Sequence, residues 1–152
     1  MGAILSVETV TKEAIPFWFS DSDSKSLTRQ LSLLEYSEGD LARLLDFLKL
    51  DLPSLRKVIH GADEDLETPP SSRSPKEVRQ RAAAWQSPAD LIRDIRQLLK
   101  AMDNYFHLFA EAKITDAYFT SGAFRDDIRD VYNMAEWAQN QGIETVRLVI
   151  NY

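Results

Sequence analysis

Apolar residues recur at every second position near both ends of the chain and at every third or fourth position between them. In residues 3–10, Ala3, Leu5 and Val7 fall on one side and Ser6 and Glu8 on the other, the alternation of a half-buried strand. In residues 143–150, Val146, Leu148 and Ile150 share a face opposite Thr145 and Arg147, in a stretch rich in β-branched side chains. Two terminal strands around a helical middle predict one α+β domain over residues 1–152, mainly helical, with a small sheet containing both strands. Whether those strands pair directly is left open by the pattern.

Within the middle, Thr11 can cap a short segment that Pro16 interrupts, and Ser20 to Ser24 reads as a loop. Leu27, Leu31 and Leu34 predict a helix over 25–36. Ser37 followed by Asp40 is a capping signal for a helix carrying Leu41, Leu44, Leu45 and Leu48 and ending near Leu50. Pro53 opens a short helix with Leu55, Val58 and Ile59 inward and Gly61 as its cap. Two serine-proline steps then start helices, one from Ser74-Pro75 to about Trp85 and one spanning 88–112. The second carries Leu91, Ile95, Leu98, Met102, Phe106 and Phe109 in one stripe, widened by Ile92, Leu99 and Tyr105, which implies burial against more than one neighbour. Ile114 to Thr120 reads as a short extended or turn element. Ser121 or Gly122 opens the last helix, with Phe124, Ile128, Val131, Ala135 and Ala138 inside and Gly142 at its end. Residues 62–74 differ in kind, being acidic and then rich in proline and serine, and predict an exposed loop.

Composition narrows the class. Hydrophobic residues make up 44% of 152, charged residues 28%, and there are only 5 glycines and 6 prolines, which fits a folded chain. The net charge of -6 disfavours nucleic acid, whose binding draws on many Lys and Arg. That charge lies wholly in residues 1–70, with 13 acidic and 7 basic side chains, whereas residues 71–152 hold 11 of each. Arg73, Lys76, Arg79 and Arg81 stand close together there, and Arg93, Arg96 and Lys100 follow. Such a cluster is either an ordinary solvated helix surface or an electrostatic docking surface for an oppositely charged partner. No apolar run approaches the roughly 20 residues of a membrane span, and no secretory signal is visible, so a cytoplasmic protein without a membrane partner is expected. Met1 to Ser6 matches an acylation pattern, but no basic patch supplies a second anchor and the strand reading is preferred.

Candidate chemistry is sparse. With no cysteine there is no thiolate nucleophile or thiolate metal site, and no phosphate-cradling glycine loop or serine elbow occurs. His60 has a sufficient structural role before Gly61 at a helix end. Asp103, His107 and Glu111 are spaced by four along one helix edge, and Asp126, Asp127 and Asp130 on the next helix can add oxygens. The paired Glu-x-x-His motifs of di-iron bundles are absent, so no metal and no cofactor is expected. Trp18 and Trp85, each near a proline-bearing break, are the aromatics expected to be partly exposed.

At one end of the chain Met1-Gly2-Ala3-Ile4 opens a strand, and at the other a helix runs through Tyr132, Met134 and Trp137 to Gln141-Gly142 and is followed by the strand from Thr145 to Ile150. In these features the ends of the chain resemble the YfbM-like family of small bacterial proteins of unknown function. About a third of the chain is covered, and the middle, including Asp63 to Ser74, departs from the aspartate-tryptophan helix and threonine-glycine turn of that family. The resemblance implies a single α+β domain and brings no catalytic residues. Size, asymmetric charge and lack of catalytic motifs point to a non-enzymatic protein-binding module of the bacterial cytoplasm. Its surface would carry Asp63, Glu64, Asp65, Glu67 and Trp85, and immunity-protein-like neutralisation of a toxin is one concrete version. The alternative is a small ligand- or metal-binding domain or enzyme, with a pocket beside helix 88–112 and His107 working with Asp103 or Glu111. A homo-oligomer with a structural role is the third reading.

Overall fold

The alternating segments at the two ends form neighbouring strands. The computed structural model describes residues 4–9, 25–34, 39–60, 74–104 and 107–151. In chain order the elements are β1 (Ile4–Thr9), α1 (Lys25–Leu33), α2 (Asp40–Leu48), α3 (Pro53–Arg56), β2 (Val58–His60) and α4 (Pro75–Ala83). They continue with α5 (Pro88–Asn104), α6 (Leu108–Glu111), α7 (Ala117–Thr120), α8 (Ala123–Asn140) and β3 (Val146–Asn151). The architecture is α+β, mainly helical, with a small mixed sheet.

Among the described residues β3 is the middle strand of three in the order β1-β3-β2. It runs antiparallel to β1, with Ile4 opposite Asn151 and Thr9 opposite Val146, and parallel to β2, with Val58 opposite Leu148. Gln86 extends the β2 side, donating its backbone N–H to the Val146 carbonyl at 2.9 Å and accepting the Val146 N–H at 2.8 Å. One face of the sheet presents Leu5, Val7, Val146, Leu148 and Ile150 to the main core. There α5 and α8 pack together, burying Leu91, Ile95, Leu98 and Met102 of one against Phe124, Ile128, Val131 and Ala135 of the other. Burying each such leucine contributes about 1.5–3 kcal/mol. On the other face Ile59, Ala84 and Val149 form a second, smaller apolar cluster.

Several expectations are corrected. The segment after Pro53 does not continue as one helix through Ile59: α3 stops at Arg56 and Val58–His60 pairs with β3, so His60 is a strand residue and not a helix terminus. Backbone hydrogen bonding to a strand far along the chain overrides a local spacing that fits either period. Helix 88–112 is not continuous, because α5 ends at Asn104 and α6 begins at Leu108, with His107 as its N-cap. Residues 117–120 take the turn alternative of the expected extended or turn element, as one helical turn capped by Asp116, whose side chain accepts the Tyr118 N–H. The start of α2 lies at Asp40 with Gly39 as N-cap, two residues past Ser37. Gln30 of α1 supplies the missing cap, its Oε1 accepting the Leu41 N–H at 3.0 Å. Ser37, Gly61, the segment 11–24, Tyr105, Phe106 and nearly all of the predicted loop 62–74 lie outside the described residues.

Candidate functional site

Local chemistry favours a helix start at α4. Pro75 occupies the first helical position, the Val78 N–H donates to the Ser74 carbonyl at 3.1 Å, and Lys, Arg, Gln and Ala are strong helix formers. Among its described residues α4 has no fully buried side chain. Every described side chain from Pro75 to Ala83 is exposed except Arg81, which is half-buried. Val78, at 47% exposure, is one of two exposed large hydrophobic residues among those described, with Phe47 the other.

The segment after α4 is held tightly. Ala84 is buried with Ile59 and Val149, and Gln86 is bridged to Val146. Between them, the Trp85 ring lies under the Arg147 guanidinium, 4.4 Å from its centroid. Arg147 is buried on the sheet's second face and donates to Glu8 Oε1 at 2.7 Å. Trp85 is half-buried, partly exposed as its sequence position predicts, and its ring is engaged in a cation–π contact.

A buried polar chain ties the same junction to α3 and α5. The Gln86 amide donates to the Ser54 carbonyl at 3.1 Å, and the Ser54 N–H donates to the Asp94 carboxylate at 3.0 Å. Asp94 is buried, and Arg93 lies 3.5 Å from its second oxygen. Arg147, Gln86 and Asp94 were not among the residues singled out from the sequence. A signal was present for two of them: Val149 is apolar on the face assigned to Arg147, and Asp94 falls three residues after Leu91 on an apolar stripe.

Asp103, on α5, pairs with Arg125 of α8, while His107 is the N-cap of α6 and Glu111 its last residue; all three are exposed, and they do not lie on one continuous helix. Of the α8 acids, Asp126 is exposed and Asp127 is buried, accepting the Tyr118 hydroxyl at 2.7 Å. Burial first, and then the neighbouring Asp127 carboxylate, pushes the Tyr118 phenol well above its ordinary value. Its ring packs edge-on against Phe119 and Phe124, a setting that suits a structural hydrogen bond. Among the described residues no group of three or more His, Asp or Glu side chains is placed to hold a metal ion. Asp63, Glu64, Asp65, Glu67 and Trp18 lie outside the described residues. Among the described residues no helix is long and apolar enough to cross a membrane.

No protein-family model, no curated protein and no solved structure matches the chain. The YfbM-like resemblance therefore rests on the terminal residues alone.

Proposed function

We propose that the protein is a non-enzymatic binding module that meets a protein partner. The observation that carries this reading is α4, a nine-residue helix anchored at its C-terminal end with no fully buried side chain among those described. A helix this short gains little from propensity alone, and most helical stability in proteins comes from packing an apolar face. α4 thus presents an ordered surface that the rest of the described structure leaves uncovered. The acidic side chains Asp63, Glu64, Asp65 and Glu67 precede it in sequence and extend the charged region proposed for recognition. Neutralisation of a bacterial toxin in the cytoplasm is the concrete version of this reading that size and charge suggest.

The test is affinity capture from native lysate on the immobilised protein, followed by titration calorimetry of the retained protein in purified form. A saturable, stoichiometric complex is expected. Retention no greater than on a tag-only matrix at both low and physiological salt would refute the reading.

A further inference from the structure

We infer that the outward face of α4 docks an acidic amphipathic segment of a partner protein. The proposal rests on the protein-binding reading and specifies the partner's chemistry. With about 100° of rotation per residue, Val78, Ala82, Pro75, Arg79, Ala83 and Lys76 share one arc of roughly 160°. All six are exposed. Arg81 and the buried Ala84 fall on the opposite side, toward the body of the protein. The arc therefore has an apolar border at Val78 and Ala82 and a cationic border at Arg79 and Lys76.

Five of the described arginines are ion-paired, whereas Lys76 and Arg79, like Arg29, Arg129 and Lys100, are not. Arg43 is paired with Asp40, Arg93 with Asp90, Arg125 with Asp103 and Arg147 with Glu8. Among the described residues, Lys76 and Arg79 have no carboxylate within ion-pair distance, although the chain carries six more acids than bases. A partner bringing carboxylates beside an apolar stripe complements both borders together. A polyanion such as DNA fits less well: two cations are few against the roughly 6–10 phosphate contacts of a salt-sensitive nucleic-acid interface, and the whole chain is net negative. Nine residues of helix span only about 13 Å, so the contact belongs to the small, transient class of interfaces.

The experiment uses the full chain and a fluorescent synthetic peptide of about 20 residues with helical leucine and glutamate periodicity. Fluorescence anisotropy should give saturable binding below about 1 mM. Binding should weaken about tenfold or more in the Lys76→Glu/Arg79→Glu variant and fall as salt is raised. Arg129→Glu, which changes an exposed cation on α8, should bind like wild type. Circular dichroism of each variant establishes that the fold is kept.

Absence of peptide binding, equal loss in the Arg129→Glu control, or tighter binding of a DNA duplex of similar length overturns the proposal. So does a wild-type dimer in light scattering that Lys76→Glu/Arg79→Glu dissociates, because the occupant is then a second copy. Parallel lysate captures separate the two levels. A partner retained equally by wild type and by Lys76→Glu/Arg79→Glu removes α4 as the docking face and leaves the protein-binding reading standing. Failure of wild type to retain any partner removes that reading itself.

Discussion

Replacing Glu8 with alanine removes the carboxylate that faces Arg147 across the β1–β3 pair. The arginine side chain is 8% exposed and the glutamate 23%, so the pair lies between a buried and a surface ion pair. Breaking a fully buried pair costs about 3–5 kcal/mol, and a surface pair about 0–1 kcal/mol. Partial exposure of Glu8 and the retained Trp85 contact place Glu8→Ala at about 2–3 kcal/mol. Arg147→Met keeps an apolar stem against Trp85 and lets Glu8 turn to water, at about 1–2 kcal/mol. In the double variant no cation is left without its carboxylate. It should be about as stable as Arg147→Met alone, giving a coupling equal in size to the Glu8→Ala cost, about 2–3 kcal/mol. Urea denaturation of the four proteins measures this directly, and Glu8→Ala should lower Tm by about 4–12 °C. A coupling under about 0.5 kcal/mol, or one that vanishes in 0.5 M salt, would show that the pair behaves as a screened surface contact and refute the reasoning.

Three further outcomes follow from particular contacts. A Cβ added at Gly39 would lie 2.7 Å from Gln30 Oε1 and 3.1 Å from Leu33 Cβ, so Gly39→Ala should destabilise by about 1–3 kcal/mol in denaturant titration. Asp94→Ala leaves the Ser54 N–H without its acceptor and should cost about 1–3 kcal/mol, with Asp94→Asn costing less, since an amide oxygen still accepts. Tyr118, raised above the ordinary tyrosine value of about 10, keeps its proton in the folded state while the unfolded chain ionises. Its contribution is therefore complete below about pH 10 and declines above it by up to about 1.4 kcal/mol per pH unit. Tyr118→Phe should flatten that decline, and spectrophotometric titration of the five tyrosines should show one phenol fewer ionising before unfolding.

The legible parts of the fold were those whose pattern and environment agree. β1 and β3 follow their alternation, and α8 buries Phe124, Ile128, Val131, Ala135 and Ala138 as their spacing requires. β2 was hidden because Leu55, Val58 and Ile59 are also spaced as a helix face, and only pairing with β3 decides the matter. The burial of Arg147 was hidden for a related reason. Alternation assigns faces of a strand, but what covers each face depends on Ala84 and Trp85, more than sixty positions away. The apparent length of helix 88–112 came from Phe106 and Phe109 prolonging the stripe past the point where α5 ends. The basic character of α4 could be read directly from residues 75–83, whereas the exposure of most of its described side chains needed the tertiary structure.

The central position of β3 sets an order of events during synthesis. β1 is made early, yet Glu8 and its partner Arg147 are 139 positions apart, and β2 also depends on β3 for its sheet hydrogen bonds. At roughly 5–20 residues per second, β1 waits about 7–30 s for its neighbour to be translated. Helices α2, α5 and α8 can associate in that interval through contacts closer in sequence, while the strand edge of β1 remains open to other chains. Slower translation of the stretch before β3 should therefore raise aggregation of the nascent protein without changing the stability of the finished one.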